Sequence, residues 1–312
     1  MLDVRRMRIL REVALRGTIA AAAEALHMTG PAVSQHLAAL ERESGTKLVE
    51  REGRSVRLTA AARTLIAHTE TILAQLEAAE ADLAAGEARY GGELRLAAFP
   101  TFAVLLAPVL RALRAAMPGV VVGVRELEPE QSLAALRVGD LELAIAHEYD
   151  HVPRRGEDAV QRVELLREPM LVALPEDHPL AGEPVALADL VGEPGWVLPV
   201  AGSTCHEEVV RMCALAGFAP RAASQAHDYR VTLTLVRAGG VAVVPGLAVL
   251  EPPEGVALAA PADVAGQRVT FAAVRRGSAR RPSIARALEA LREVSATAAA
   301  PFAWGDIDGF RE

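Results

Sequence analysis

A short polar segment near the N-terminus has side chains suited to hydrogen bonding. It reads Thr29-Gly30-Pro31, followed by Ser34 and Gln35. Thr29 can act as the N-cap of a helix, and Pro31 is tolerated in the first turn because its missing N–H would be unpaired there. The resulting face is small, polar and not acidic, so it can approach a DNA major groove and bond to base edges and phosphates.

The apolar positions of the same segment indicate how it is held. Val33, Leu37 and Leu40 are spaced i, i+4 and i+7, so they face inward on a helix that Gly45 would end. Residues 2–16 and 19–26 also have helical spacing. The polar face therefore belongs to the third of three short helices.

A basic hairpin is predicted after these helices. Residues 48–51 and 55–58 flank the turn 52–54, which places Arg51 and Arg54 near its tip, where they can reach DNA backbone or minor groove. Two short helices joined by a tight turn and followed by such a hairpin are typical of a winged helix-turn-helix domain. The alternative for residues 1–58 is a three-helix domain that binds another protein.

The charge distribution favours the DNA-binding interpretation. The chain has 312 residues and a net charge of −7, yet residues 1–58 hold ten basic and seven acidic residues, a net of +3. Residues 59–90 hold two basic and five acidic residues, and the rest of the chain holds 21 and 28. A basic head on an acidic body indicates nucleic acid at one end.

A heptad pattern predicts one long helix over residues 59–90. Apolar or small residues recur in steps of four and three from Leu58 to Leu83, which is a seam that a single exposed helix cannot bury alone. We expect this linker helix to pair with a second chain, and the alternative is packing on its own body. The seam residues expected at the dimer interface are Leu65, Ile72, Leu76 and Leu83.

Strand and helix patterns alternate through residues 91–296 and predict a two-lobed α/β domain with a mostly parallel sheet. We expect lobe I at about 91–163 and 268–296, with lobe II at about 164–267. Residues 297–312 read as a loose C-terminal tail.

Ligands of open α/β sheets lie beyond the carboxyl ends of the strands. Some of the residues there start helices, where free N–H groups favour an anion, so a small carboxylate is the favoured ligand. Purely structural roles stay open for some of these residues: Thr204 and Glu207 could form a capping box, Asp228 could cap a helix and His147 could be a buried histidine. The candidate ligand-binding residues are Pro100, Thr101, Phe102, His147, Gly202, Ser203, Thr204, Asp228 and Leu247.

Other classes of protein lack support in the sequence. We find no catalytic motif, no metal-ligand set and no cofactor motif, which argues against an enzyme. The N-terminal residues do not resemble a secretion signal, which argues against an exported solute-binding protein, and no apolar run is long enough to span a membrane. We therefore expect a cytoplasmic protein.

The head resembles the LysR-type transcriptional regulators. The match runs through "GTIAAAAEALHMTGPAVSQHLAALERESGTKLVEREGRSVRLTAAA", and "HPLA", "AGFAP" and "LVRAGGVAVVP" resemble pieces of the family's effector domain. The resemblance implies operator DNA as partner, a dimerising linker helix and a homotetramer built as a dimer of dimers. It also implies a domain like type 2 periplasmic binding proteins, with a small-molecule effector between its lobes. The family usually has glutamine at Gly30 and arginine at Gln35, two positions that commonly contact DNA; this chain departs from the family pattern at both, so the resemblance does not define its operator sequence.

The two cysteines leave a redox alternative open. Some peroxide-sensing members of the family carry two cysteines in a comparable helix; Cys213 matches the second, whereas the first would fall at Thr204, beside Cys205. Eight residues along one helix separate the thiols by roughly 12 Å, too far for a disulfide without unfolding.

Overall fold

The head of the protein contains three helices and a hairpin. The structure is a computed structural model. It describes residues 1–299 apart from 53–54, 86–91, 154–159, 183 and 251–252. The antiparallel strands β1 and β2 form the wing, which confirms the predicted winged helix-turn-helix layout. The elements are α1 (Val4–Arg16), α2 (Ile19–Ala25), α3 (Gly30–Ser44), β1 (Val49–Glu52) and β2 (Ser55–Leu58).

The head is held together by the inward faces of its helices. Val33, Leu37 and Leu40 of α3 are buried against Leu10 of α1 and Leu48 before β1. Each fully buried side chain of this kind contributes about 1.5–3 kcal/mol, so this small core fixes the angle at which α3 is presented.

The long helix α4 (Ala60–Ala85) begins where Thr59 accepts a hydrogen bond from the N–H of Ala62 at 3.1 Å. It contacts the turn Ser278–Arg280 of the body. At about 1.5 Å per residue, its 26 residues span about 39 Å. None of the helices in the described part of the chain is long and apolar enough to cross a membrane.

Two lobes follow, each built on its own sheet. In lobe I the strand order is β4-β3-β5-β11-β6, and β3 runs parallel to β4 and β5. In lobe II, β6 pairs with β9 and β10, and β7 pairs in parallel with β8. The elements are β3 (Gly92–Ala98), α5 (Ala103–Ala116), β4 (Val120–Glu126), α6 (Pro129–Val138), β5 (Leu143–Tyr149), β6 (Val160–Pro175), β7 (Trp196–Pro199), α7 (Thr204–Leu215), β8 (Ala222–Ala226), α8 (Tyr229–Arg237), β9 (Ala242–Pro245), β10 (Val256–Ala259), β11 (Gln267–Arg275) and α9 (Pro282–Ala299).

The chain crosses between the lobes inside one continuous strand. β6 pairs with β11 up to Pro169 and with β9 from Met170 onward. The crossing therefore lies further along the chain than the predicted position near Val163, because a strand shared by two sheets shows no break in its apolar pattern. The helix α9 continues to Ala299, past the predicted start of the tail at 297, and the remaining tail lies outside the described residues.

The head also touches lobe I of the same chain. The buried guanidinium of Arg11 bonds to Glu70 of α4 and donates to the main-chain oxygen of Arg137, at the end of α6. Arg16 lies 3.9 Å from Asp140. The carboxyl end of α6 is thereby in contact with the helix-turn-helix head.

Candidate functional site

The polar face of α3 is open to solvent. Thr29, Pro31 and Gln35 are exposed, and Gly30 and Ser34 are half-buried. Thr29 acts as the N-cap, since its Oγ1 accepts a hydrogen bond from the N–H of Ala32 at 3.3 Å. The first turns of α3 therefore form one exposed strip of small and hydrogen-bonding groups.

The structure does not describe where the two wing arginines lie relative to this strip. Arg54 lies outside the described residues, and so does the side chain of Arg51. Both stay predictions from the sequence.

A cavity of about 590 Å³ lies between the lobes. This volume falls in the usual range of small-molecule sites, about 300–1,000 Å³. Thr101 of lobe I and Ser203 of lobe II both line it. Seven predicted residues line it: Pro100, Thr101, His147, Ser203, Thr204, Asp228 and Leu247.

Two predicted ligand residues do not line the cavity. Phe102 is fully buried in the core of lobe I, where its ring packs edge-on against Phe99 at 5.8 Å. Gly202 occupies an exposed turn with φ of 90°, a left-handed conformation that glycine adopts without strain. Both predictions followed chain position alone, which does not show where a neighbouring residue points.

An ion pair forms the floor of the cavity. The Nε of Arg268 donates to Glu168 Oε1 at 2.8 Å, and both side chains are almost fully buried. The other carboxylate oxygen of Glu168 accepts from the N–H of Leu247. Burial lowers the pKa of the Arg268 guanidinium, but Glu168, Tyr149 and Tyr229 together outweigh burial and raise it. The floor therefore presents a fixed cation.

Polar atoms at the floor and wall lack partners. Among the described residues that line the cavity, Thr101 Oγ1, His147 Nδ1, Tyr149 Oη and Arg268 Nη2 are buried and make no hydrogen bond. A buried donor without a partner costs about 1–3 kcal/mol, so such groups are expected where a ligand or water completes the bonding. Arg268 Nη2 can only donate, and its partner must be an acceptor.

The histidine between the lobes is held neutral. Burial, and then the charge of Arg268, lower the pKa of His147 well below its ordinary value. Its ring packs edge-on against Phe99 with centroids 4.6 Å apart, and its Nε2 lies 4.0 Å from Glu128 Oε2. His147 is thus a neutral wall residue at neutral pH.

Two of the predicted ligand residues, Asp228 and Ser203, also cap helices. Asp228 caps α8, because its Oδ1 accepts from the N–H of Arg230 at 2.8 Å, and it pairs with the Arg230 guanidinium at 2.9 Å. That side-chain hydrogen bond from Arg230 lowers the pKa of Asp228. The N-cap of α7 is Ser203, whose Oγ accepts from the N–H of His206, so Thr204 is the first helical residue and does not form the alternative capping box.

Both cysteines lie on α7, as expected. Cys205 lines the cavity with its Sγ 2.7 Å from Tyr229 Oη, whereas Cys213 is fully buried in lobe II. Burial raises the pKa of Cys205, and it raises the pKa of Cys213 to about 12. Raised pKa values keep both thiols protonated, the less reactive form.

Several lining residues were missed by the sequence argument. Arg268 enters from the start of β11, an antiparallel strand, so a search restricted to carboxyl ends of strands overlooks it. A charged residue at the start of the otherwise largely apolar strand β11 was the available signal, whereas Glu168 stands among other charged residues of β6 and gives no such signal. The acidic residues Glu126, Glu128 and Glu130 also line the mouth. The described residues contain no group of three or more potential metal ligands.

Comparison with known proteins places both regions in one family. The family "Bacterial regulatory helix-turn-helix protein, lysR family" matches residues 4–63, and the family "LysR substrate binding domain" matches residues 87–296. The HTH-type transcriptional regulator ShiR of Corynebacterium glutamicum is 34% identical over 265 residues, covering 78% of this chain and 86% of that protein. The hydrogen peroxide-inducible genes activator of Escherichia coli is 30% identical over 236 residues, covering 75% of each chain.

Solved structures show the same architecture. Full-length OxyR from Pseudomonas aeruginosa superposes with a TM-score of 0.65 at 23% identity, covering 94% of this chain and 95% of that one. Because the matched families cover the helix-turn-helix head and most of the two-lobed body, the chain belongs to the LysR family of DNA-binding transcriptional regulators with an effector-binding domain.

Proposed function

We propose that the cavity between the lobes is the effector site and that its occupancy controls how the heads meet an operator. The observation that carries this proposal is the pair of buried donors, Thr101 Oγ1 and Arg268 Nη2, that have no partner among the described residues and meet at one cavity. A bound carboxylate would supply acceptor oxygens to both. The effector would act by preferring one arrangement of the assembly over another.

For the DNA half of the function, we assign base and phosphate contacts to the exposed start of α3. Thr29, Gly30, Pro31, Ser34 and Gln35 occupy its open face. Small groups let the backbone approach the duplex, and the Ser34 hydroxyl and Gln35 amide can bond to base edges. Contacts from Arg51 and Arg54 to backbone or minor groove rest on the sequence alone.

Pairing of the linker helices would join two heads. Leu65 and Ile72 pack in part against the head core, while Leu76 and Leu83 are 48% and 78% exposed. The far half of the seam is thus available to a second chain, and a dimer of dimers extends this to four heads in the cytoplasm. Joined heads gain affinity through effective concentration.

Thr101→Val tests the effector site. Its hydroxyl has no described partner, so the substitution removes no hydrogen bond from the fold and the melting temperature should stay the same or rise. Operator binding without effector should persist, whereas the shift caused by small carboxylates should fall. An effector response that survives Thr101→Val unchanged would place the site elsewhere.

Redox sensing stands as a second candidate because Cys205 lines the cavity and one relative is named for hydrogen peroxide. The raised pKa values of both thiols argue against it. Changing Cys205 and Cys213 to serine should leave the effector response intact. An operator shift caused by peroxide in the parent protein and lost in the serine variant would favour the redox function instead.

A further inference from the structure

We propose that the effector is an amino carboxylate, whose carboxylate meets Arg268 and Thr101 at the floor and whose cationic nitrogen meets the glutamates at the mouth. This inference rests on the proposed effector site and adds the chemical class of its occupant.

The balance of charge around the cavity carries the first step. Two of the lining cations are already matched, since Arg268 pairs with Glu168 at 2.8 Å and Arg230 pairs with Asp228 at 2.9 Å. Both lining arginines therefore already have a carboxylate partner, and a ligand that carried only negative charge would find no unpaired arginine among the described lining residues. It would also face the remaining carboxylates.

The remaining carboxylates form one wall. Glu126, Glu128 and Glu130 follow one another at the end of β4 and the start of α6, and all three line the cavity. None of them forms a close ion pair among the described residues, where the nearest contact is His147 Nε2, 4.0 Å from Glu128. The charges of His227 and Arg268 act on Glu128, and that of Arg230 acts on Glu126, only at longer range. His147 is neutral because burial lowers its pKa.

The glutamates are close enough to repel one another. Burial, and then the charges of Glu130 and Glu126, raise the pKa of Glu128, although the charges of His227 and Arg268 oppose the shift. A cation placed among three such groups relieves this repulsion, and its attraction to each carboxylate is stronger than in open water because the cavity is partly shielded.

The floor requires the opposite chemistry. Arg268 Nη2 is a buried donor without a partner, and a guanidinium nitrogen cannot accept a hydrogen bond. A simple amine leaves it unsatisfied, whereas a carboxylate supplies a charge-assisted acceptor. A dicarboxylate satisfies the floor and is repelled at the mouth. An amino carboxylate is the class that satisfies both ends.

The experiment uses the full-length protein and compares four probes with the same number of carbon atoms: aminovalerate, valerate, glutarate and pentylamine, each at millimolar concentration. The same four classes are then tested with shorter and longer carbon chains. The measurements are the thermal shift and the change in operator binding. We expect amino carboxylates to bind at least about tenfold more tightly than the matched compounds, which corresponds to about 1.4 kcal/mol.

Variants at the mouth sharpen the result. Glu128→Gln with Glu130→Gln should weaken the amino carboxylate and strengthen the dicarboxylate, and this exchange of preference is a readout that a purely structural role would not give. Glu93→Gln is the matched control, because Glu93 is exposed on lobe I at the opposite end of β3 from the cavity.

Each outcome decides a different point. Equal or tighter binding of valerate or glutarate, abolished by Thr101→Val, overturns the amino-carboxylate class and leaves the proposed effector site standing. Binding that is indifferent to both Thr101→Val and the glutamine variants overturns the site as well. The absence of a thermal shift and of a change in operator binding with every class of probe, at every carbon-chain length, also counts against the inference.

Discussion

The face of α3 that we assign to DNA and the cavity that we propose as the effector site are built in opposite ways. The α3 face comes from one helix, with its proposed contact groups between Thr29 and Gln35. The cavity collects side chains from both lobes, and its floor joins Glu168 to Arg268 across 100 positions of the chain. A surface built locally can change its contacts without touching the fold, whereas a cavity built from distant segments shares its residues with the core.

The largest expected effect follows from this sharing. Arg268→Met leaves the carboxylate of Glu168 buried without its cation, so the free energy of unfolding should fall by about 3–5 kcal/mol in chemical denaturation. A loss no greater than that of an exposed pair, about 1 kcal/mol, would contradict the burial of this floor.

A matched double variant separates loss of charge balance from loss of packing. Arg268→Met with Glu168→Gln removes both charges. The glutamine keeps an acceptor oxygen for the N–H of Leu247, which donates to Glu168 in the parent protein. Much of the lost stability should return, because an unpaired buried charge costs more than a neutral group.

Substitutions in the linker helix test whether the heads are joined through its exposed seam. Leu76→Glu with Leu83→Glu places charges on the exposed half of the seam, so pairing should fail and affinity for an operator with two half-sites should drop by about a hundredfold or more. Affinity for a single half-site should stay the same. Sedimentation of the full chain would show the change of mass. An unaltered dimer would indicate pairing through another surface.

Gln35→Ala should change recognition alone. The side chain is exposed on α3, so the melting temperature should stay the same. Loss of one bidentate base contact costs about 1–3 kcal/mol of operator affinity. Glu24→Ala on the neighbouring α2 is an exposed control. Equal operator binding by Gln35→Ala and the parent would remove Gln35 from the base-contacting set.

The same contrast explains what the sequence could predict. The face of α3 was predictable because the spacing of Val33, Leu37 and Leu40 alone fixes which side is buried. Thr101 and Asp228 were predictable from strand ends. Arg268 was not, since its position depends on how β11 pairs with strands more than a hundred residues earlier, and no local period records that pairing.

The smallest expected effect concerns the mouth of the cavity. Burial and the neighbouring glutamates raise the pKa of Glu128 above its ordinary value, although His227 and Arg268 oppose the shift, so ionisation of this group opposes folding. Stability associated with its protonated form is complete below the unfolded pKa and is lost as the pH rises through the folded pKa. Glu128→Gln should therefore raise the melting temperature at neutral pH by only about 1 °C, since solvent screens a half-exposed carboxylate. The gain should vanish near pH 4, about where an ordinary glutamate becomes protonated. Calorimetry at both pH values, with Glu93→Gln alongside, measures the difference. A gain of equal size at both pH values, or an equal gain in Glu93→Gln, would contradict the raised pKa of Glu128, and the cavity would then differ from the α3 face in geometry alone.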